Sequence, residues 1–410
     1  MSALETVRRQ RDPLLAAAKS HEADMVRFLR DLIAIPAESC QEGPVIQRIA
    51  QEMQHVGFDE IRIDPMGNIL GRIGSGKKII MMDSHADTVG VGDIREWAWD
   101  PYRGKIEDGN VYGRGACDQR AGMACLVYAG KLIKELGLAG DYTLYVVGSV
   151  QEEDCDGLSW VYILKEDGIR ADCVVLTEPT NLRVYRGHRG RMEIEVHLRG
   201  RSCHGSAPER GENPIYRMAP ILREVEKLNT RLHSDPFLGK GTIAVTEIRS
   251  LSPSLCAVPA ACSIHLDRRL TLGDTKESVV AEVKALAGLD GGEVEVLRYE
   301  RPSYTGLVYP MEKYYPTWAL EETHPLVQAG VHTYQALSGK APVVDKWTFS
   351  TNGVGSMGLM GVPTIGFGPG EEEVAHSVNE RVPIQHLVEA AQFYAAFPLI
   401  YLSTAAGCGV

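Results

Sequence analysis

The chain begins with two stretches in which apolar residues recur at helical spacing. The apolar face of the first consists of Met25, Phe28, Leu29, Leu32 and Ile33. This spacing predicts an amphipathic helix over residues 22–33 that ends before Pro36. The second stretch has its apolar face at Val45, Ile46, Ile49 and Met53. A strand pair near residues 61–63 and 69–70 is predicted next, followed by a glycine-rich turn at 74–76.

Four short apolar runs predict buried strands, and acidic residues or histidines follow each of them. The runs are residues 79–82, 142–150, 173–177 and 363–367. The polar residues that follow them are, in the same order, His85 with Asp87, Glu152 with Glu153, Glu178, and His376. Ligands bind outside the carboxyl ends of strands in open α/β sheets, so these side chains occupy the usual position of a functional site.

A glycine-rich loop at residues 113–122 opens a further predicted helix and carries Asp118 near the helix amino terminus. Alone, Asp118 would be interpreted as a helix cap. His85 and Asp87 alone would be a polar strand end whose two side chains bond to each other.

The combined set of carboxylates and histidines argues against these isolated interpretations. Burying so many carboxylates together costs several kcal/mol each unless cations neutralise them. Imidazole and carboxylate ligands suit zinc or its first-row neighbours, and two ions roughly 3.5–4 Å apart need a carboxylate that bridges them. We therefore predict two divalent metal ions, with zinc expected and cobalt or manganese as alternatives.

The order of predicted strands and helices changes between residues 186 and 300. Strands are predicted at 192–198, 242–248, 262–270 and 293–297, and helices at 214–228 and 275–286. This βαββαβ unit interrupts the predicted ligands between Glu178 and His376, so we interpret it as an inserted domain. The expected domains are residues 1–185 with 301–410, and residues 186–300.

Composition fits this division and excludes some partners. At 410 residues the chain exceeds the size at which one core keeps growing. A net charge of −11 argues against a nucleic-acid surface. The first 20 residues carry charges throughout and lack the apolar core of a signal peptide, and the apolar stretch 393–402 is short and contains Pro398. We therefore expect a packed terminal helix and no membrane partner. The nine scattered cysteines, without a C-x-x-C pair, predict a cytoplasmic protein.

With these residues placed, nearly the whole chain resembles the M20 family of metallopeptidases. The family includes succinyl-diaminopimelate desuccinylases, acetylornithine deacetylases, aminoacylases and carboxypeptidase G-type enzymes, and the nearest subgroup is hydrolases linked by name to selenium metabolism. The resemblance rests on the segment His85-Ala-Asp87, the loop at 113–122, the pair Glu152-Glu153, and the positions of Glu178 and His376.

The resemblance implies a role for each of these residues. One ion would be held by His85, Asp118 and Glu178, and the other by Asp118, Glu153 and His376. Asp87 would orient His85 by bonding its far nitrogen, as such outer carboxylates do. Glu152 would be the general base, and a cis peptide bond is expected after Asp118.

The implied fold is α/β, a mixed-sheet, zinc-peptidase-like catalytic domain with an inserted ferredoxin-like domain that acts as a lid and in dimerisation. The segment at 200–208 resembles the one whose histidine reaches the active site of the other subunit, so we expect a homodimer through residues 186–300 in which His204 supports the developing oxyanion. A loop histidine bonded locally is the alternative for His204.

Substrate contacts are expected from four residues: Arg269, Arg268, Asn213 and Asn352. The family places a substrate-binding arginine at the position of Arg269, and a planar guanidinium suits a carboxylate. A surface arginine on an edge strand is the alternative, and Arg268, on the other face of the strand, is the second choice. Asn352 stands where the family frequently has Asp. Other departures, such as Asp-Gln-Arg-Ala-Gly in the loop of Asp118, remove no ligand.

The predicted activity is hydrolysis of an amide-type C–N bond in a small carboxylate-bearing substrate, an N-acyl amino acid or a dipeptide. The two ions would acidify a water, and Glu152 would take its proton and return it to the leaving nitrogen. Hydrolysis of N-carbamoyl amino acids is an alternative that uses the same metals. A binding protein without turnover is a second alternative, which the intact Glu152 and the complete ligand set oppose.

Overall fold

A nine-stranded mixed sheet forms the centre of the larger part of the chain. The computed structural model describes residues 3–286 and 288–406. Its helices are α1 (Ala3–Ser20), α2 (Glu22–Ile33), α3 (Gly43–Val56), α4 (Ala121–Glu135), α5 (Leu158–Lys165), α6 (Pro214–Arg231), α7 (Lys276–Lys284), α8 (Pro325–Ser338) and α9 (Ile384–Ala406).

The strands vary from two to ten residues in length. In the first half they are β1 (Glu60–Ile63), β2 (Ile69–Ile73), β3 (Lys78–His85), β4 (Lys105–Glu107), β5 (Asn110–Tyr112), β6 (Tyr142–Ser149), β7 (Cys173–Leu176), β8 (Val184–His188), β9 (Gly190–Arg199) and β10 (Cys203–His204). They continue with β11 (Ser234–Asp235), β12 (Gly239–Lys240), β13 (Thr242–Leu251), β14 (Ala257–Val258), β15 (Ala261–Leu270), β16 (Glu293–Val296), β17 (Arg298–Tyr299), β18 (Met311–Glu312), β19 (Tyr314–Tyr315), β20 (Trp318–Ala319), β21 (Val344–Trp347), β22 (Thr364–Gly366) and β23 (Arg381–Pro383).

The strand order of the large sheet is β1-β2-β6-β3-β7-β22-β8-β20, with β21 paired to β8. Its centre is parallel, since β3 runs parallel to both β6 and β7, and β22 runs parallel to β7. Parallel strands are buried on both faces, which explains their continuous apolar runs. The predicted strands of this sheet are confirmed, and so is the mixed α/β fold.

Helices pack on this sheet through the faces that the sequence predicted. The predicted apolar faces of α2 and α3 are buried in the main core. Phe393 of the terminal helix α9 stacks on Phe367, which directly follows β22, and the two ring centroids are 3.7 Å apart. Phe397 continues this column of rings. Within the described residues no helix is both long and apolar enough to cross a bilayer.

The smaller unit has the element order β9-α6-β13-β15-α7-β16, which is the expected βαββαβ order. Its antiparallel sheet has the strand order β13-β15-β9-β16. Alternate residues of β9 and β15 are buried beneath the two helices and form a hydrophobic cluster of their own. The other face of this sheet carries polar side chains, as period-2 alternation requires.

Sheet membership places the borders of the smaller unit a few residues from those expected. Residues 186–188 belong to β8, which pairs within the large sheet, so the expected border at 185/186 divides a strand. Conversely, β19 lies beyond residue 301 but pairs with β9 of the smaller sheet. The pattern also gave no indication of helix α1 or of the small sheet β23-β5-β4, whose strands are three residues long.

Candidate metal centre

Four neighbouring strands of the large sheet end at the same edge and present the predicted ligands there. His85 is the last residue of β3, Glu152 and Glu153 follow β6, and Glu178 follows β7. His376 lies in the segment that follows β22. Because β6, β3, β7 and β22 are adjacent and parallel, their carboxyl ends meet, and residues far apart in sequence come together.

One group of potential ligands consists of His85, Asp118 and Glu178, and all three are buried. The Nε2 atom of His85 lies 3.0 Å from Oδ1 of Asp118 and 3.7 Å from Oε1 of Glu178. One ligand atom from each residue lies within 4.8 Å of the others. This is the set that the resemblance implied for the first ion.

A second group shares Asp118 and adds Glu153 and His376. The Nε2 atom of His376 lies 3.1 Å from Oδ2 of Asp118 and 2.9 Å from Oε2 of Glu153. The two carboxylate oxygens of Asp118 therefore face different histidines. This geometry is the one that a bridging carboxylate between two ions requires.

The electrostatics of the group fit divalent cations. Burial, followed by repulsion from Asp118, raises the pKa of Glu153 to about 7 and that of Glu178 well above its usual range. Hydrogen bonds with Asp118 and Glu153 raise the pKa of His376 to about 11. Burial opposes ionisation of Asp118, yet hydrogen bonds from the two histidines lower its pKa. The carboxylates thus require nearby positive charge to ionise, and the donor set suits zinc or a similar metal.

Asp87 lies at the far nitrogen of His85, as expected, but its main-chain oxygen is closer to that nitrogen than its carboxylate is. The Nδ1 atom of His85 lies 3.0 Å from the main-chain oxygen of Asp87, whereas the nearest carboxylate oxygen of Asp87 is 3.5 Å away. That carboxylate accepts hydrogen bonds from the main-chain N–H groups of Glu152 and Glu153, at 3.2 and 3.1 Å, and from the Ser39 hydroxyl. Asp87 therefore orients His85 mainly through its backbone and fixes the Glu152-Glu153 segment through its side chain.

Glu152 lies beside both groups without belonging to either. Its Oε2 atom is 3.9 Å from Nε2 of His85, and the residue is only 6% exposed. Burial raises the pKa of Glu152 well above its usual range; the His85 charge opposes this, and the Glu178 charge adds to it. A buried carboxyl with a raised pKa next to a metal centre can accept and return a proton near neutral pH.

A cleft of about 750 Å³ opens over this centre. It is lined by Asp118, Glu152, Glu153, Asp156, Glu178, Thr180, Asn181, Arg183, Tyr185, Arg191, Arg269, Thr348, Phe349, Ser350, Glu371, Glu372, Glu373, Ala375 and His376. Of the four residues expected to contact substrate, Arg269 alone lines the cleft. Its guanidinium is bonded to Asp267, at 2.8 and 3.0 Å.

The expected substrate contacts of Arg268 and Asn352 are corrected by the structure. Arg268 is buried in the smaller unit, where its guanidinium lies 3.3 Å from both Asp274 and Glu282. Asn352 is also buried and donates to Asp83 and Ser149, both at 2.9 Å. These partners engage both side chains inside the protein, so neither faces the cleft.

Asn213 and His204 lie outside the cleft of their own chain. The Asn213 side chain caps α6 by accepting from the N–H of Ile215 at 3.0 Å. His204 is exposed in β10, where Nδ1 lies 2.7 Å from the Ser206 hydroxyl. The expected substrate contact of Asn213 and the expected role of His204 in the site of the other subunit stay predictions.

Three residues that the sequence did not indicate contribute to the site. Glu380 is buried and bonds the loop of Asp118. Arg191 and Asp156 line the cleft and form an ion pair at 3.2 Å between the smaller unit and the Glu152 segment. Arg191 is the second residue of the alternating strand β9 and therefore resembles a surface residue. No motif marks Glu380. The peptide bond between Asp118 and Gln119 is cis, as expected.

Comparisons with known proteins show a family and a shared fold. The sequence model of peptidase family M20/M25/M40 matches residues 81–399. The YgeY protein of Escherichia coli (strain K12) is 56% identical over 393 residues, which cover 95% of this chain and 98% of that protein. A succinyl-diaminopimelate desuccinylase of Magnetococcus marinus is 27% identical over 387 residues, or 90% of this chain and 96% of that enzyme. Among solved structures, Bacillus subtilis YXEP, a dinuclear metal binding peptidase, has the same fold with a TM-score of 0.69 at 13% identity, covering 94% of this chain and 99% of that one.

Proposed function

The chain belongs to peptidase family M20/M25/M40, and from this premise we propose that it hydrolyses an amide-type C–N bond in a small substrate that carries a carboxylate. It is a metal-dependent hydrolase of C–N bonds. The observation that supports the specific proposal is the position of Asp118 between His85 and His376, with Glu152 alongside. A shared carboxylate between two ligand groups, next to a proton acceptor, is the arrangement that metal-assisted hydrolysis needs.

The ligand assignment follows the two groups of side chains. His85, Asp118 and Glu178 would hold one ion, and Asp118, Glu153 and His376 the other. Two histidines among carboxylates favour zinc, with cobalt and manganese as alternatives. When bound, such ions lower the pKa of water and polarise a carbonyl group.

Glu152 is the proposed general base. It takes a proton from the attacking water and returns it to the nitrogen that leaves, so one carboxyl serves both halves of the reaction. Asp87 supports this role because its side chain holds the main-chain N–H groups of Glu152 and Glu153.

A carboxylate on the substrate is the finer part of the proposal. Arg269 lines the same cleft as the proposed ligands Asp118, Glu153, Glu178 and His376, and it belongs to the smaller unit. A guanidinium binds a carboxylate through two parallel hydrogen bonds. Substrate would then compete with Asp267 for Arg269. The relative from Magnetococcus marinus is named as a succinyl-diaminopimelate desuccinylase, and a succinylated amino acid is an N-acyl amino acid with carboxylates. This name supports a carboxylate-bearing N-acyl amino acid as the substrate class.

We further propose that the protein is a homodimer through the smaller unit, residues 186–300, with that unit serving as a lid. Strand β13 is the edge of its described sheet, and Ile248 and Leu251 on it are 51% and 69% exposed. Open edge strands with apolar side chains are normally covered, and a second copy related by a twofold axis would cover this one. In such a dimer His204 of each chain would complete the site of the other.

A cytoplasmic location is proposed from cysteine chemistry. The described cysteines are Cys40, Cys117, Cys125, Cys155, Cys173, Cys203, Cys256 and Cys262, and all are free thiols. Free thiols are typical of a reducing compartment.

The test combines metal analysis with a substrate screen. Purified protein should contain two divalent ions per chain, and the screen should compare N-acyl amino acids, dipeptides and N-carbamoyl amino acids. Hydrolysis of N-acyl amino acids or dipeptides that stops when the ions are chelated supports the proposal. Turnover of N-carbamoyl amino acids alone would replace it, and a protein that binds two ions but hydrolyses none of the three classes would refute it.

A further inference from the structure

One buried carboxylate connects the two segments that carry Asp118 and His376. Glu380 lies four residues after His376 and is fully buried. Its main-chain oxygen accepts from the N–H of Gly113 at 2.9 Å. The next residue, Arg381, pairs with Tyr112 across the strands β23 and β5. The segment that contains His376 is therefore attached to the segment that leads to Asp118.

The side chain of Glu380 accepts four hydrogen bonds, all from residues 114–118. Its Oε1 atom accepts from the main-chain N–H groups of Cys117 and Asp118, at 2.7 and 2.8 Å. Its Oε2 atom accepts from the main-chain N–H of Gly115 at 3.1 Å and from Nη1 of Arg114 at 2.7 Å. Converging main-chain N–H groups of this kind form a concave site for an anion, and here the anion is a side chain.

The bonded loop has a conformation that ordinary helix formation would not give. Gly115 has a φ of 80°, and a Cβ atom there would lie 2.8 Å from Cγ2 of Thr88. Asp118 has non-helical dihedral angles, φ −115° and ψ 95°. Its carboxylate nevertheless reaches His85 and His376, at 3.0 and 3.1 Å. The backbone of Asp118 must therefore be held from its amino side, where Glu380 binds.

We infer that Glu380 is a positioning residue of the metal centre, which holds the loop of Asp118 and the segment of His376 in register so that the Asp118 carboxylate can face both ions. The inference rests on the proposed metal ligands. Arg114 reinforces the connection, because its Nη2 atom also lies 3.5 Å from the main-chain oxygen of His376. The ion held by Asp118, Glu153 and His376 depends on Glu380 most, since two of its three ligands lie on the connected segments.

The test is Glu380→Gln. A carboxylate accepts all four hydrogen bonds, whereas an amide presents its own N–H groups to some of these donors and leaves them unpaired. Glu52→Gln is the matched control, because Glu52 is 3% exposed and accepts from Arg48 at 2.7 Å and Tyr128 at 2.7 Å, none of them a proposed ligand. Metal-free wild type and both variants are titrated with Co²⁺, and stoichiometry, affinity, visible absorption and thermal stability are recorded.

We expect Glu380→Gln to lower the affinity for one of the two Co²⁺ ions by about 10- to 100-fold, because removal of a partner that orients a metal ligand has an effect of this size. The visible absorption of the bound Co²⁺ should also change. Glu52→Gln should match wild type in both properties even if it is equally destabilised. If Glu380→Gln binds two ions with wild-type affinity and absorption, the inference about Glu380 is overturned but the proposed metal centre is not. Failure of wild type to bind two ions would instead overturn the proposed metal centre, and the inference with it.

A measurement on wild type keeps the inference testable if Glu380→Gln does not fold. The N–H groups of Cys117 and Asp118 donate to Glu380, so their hydrogen exchange in metal-free protein reports whether the loop is held before metal binds. Slow exchange supports the positioning role. Exchange as fast as in an unstructured peptide would overturn it.

Discussion

Replacing Glu152 by Gln should separate proton transfer from metal binding. Glutamine keeps the shape of the side chain but cannot accept the proton of the attacking water. Glu152 belongs to neither ligand group, so both ions should remain. Loss of a general base typically lowers kcat by about 10²- to 10⁴-fold. This factor corresponds to about 3 to 5 kcal/mol in the barrier.

The structure also predicts that this variant folds. Among the described residues, no hydrogen bond to the Glu152 carboxylate is present that Gln would lose, and the main-chain N–H of Glu152 still donates to Asp87. Removing a buried charge should not lower stability by itself.

The assay measures kcat on a substrate from the screen, together with metal content per chain and thermal stability. Glu52→Gln is again the control, as a buried Glu-to-Gln change away from the centre. Wild-type kcat in Glu152→Gln would refute the role of Glu152 as base. Loss of an ion together with activity would show instead that Glu152 is a ligand.

Three further predictions concern the ligands, the dimer and one buried histidine. Glu153→Ala removes one of the three protein ligands of the ion at Asp118, Glu153 and His376, so the metal content of dialysed protein should fall towards one ion per chain. Retention of two ions at wild-type affinity would contradict the assignment of Glu153 as a ligand. When inactive Glu152→Gln subunits are mixed with inactive His204→Ala subunits under exchange conditions, some activity should return, because each mixed dimer has one site with both groups intact. No recovery despite verified subunit exchange would refute a site shared between subunits. Burial lowers the pKa of His188 to about 4, below its value of about 6.5 in the unfolded chain. Between these two pH values only the unfolded state binds the proton, so the free energy of unfolding decreases as the pH falls from about 6.5 to 4. NMR titration of the His188 ring checks this, and protonation near pH 6.5 would contradict it.

The sequence was most informative where local pattern and burial agree. Apolar runs predicted the parallel strands, and the polar residues at their ends predicted that His85, Glu153, Glu178 and His376 would meet at one edge. Helical spacing likewise predicted α2 and α3. Such features depend on period and order alone, so no knowledge of distant contacts is needed.

Other features depend on contacts between distant segments and had no local signal. Glu380 resembles any loop acid until β23 pairs with β5 and brings it to the loop of Asp118. Asn352 was expected to contact substrate because it stands where the family frequently has Asp, yet its side chain is turned towards Asp83 inside the protein. The hydrogen bond from His85 to the backbone of Asp87, in place of its carboxylate, is a matter of a few tenths of an ångström. Neither spacing nor composition encodes such distances.

The two ligand groups differ in exposure, and this difference constrains how substrate can approach. The His85 side chain is 1% exposed and does not line the cleft, whereas the His376 side chain is 49% exposed and does. Glu152 lines the cleft as well. We therefore expect substrate to approach from the side of His376, with its reacting bond close to Glu152. Of the buried group, Asp118 and Glu178 also line the cleft, and Asp118 is shared by both groups. The orientation of the Asp118 carboxylate, and hence of the loop that carries it, therefore affects both proposed ion sites.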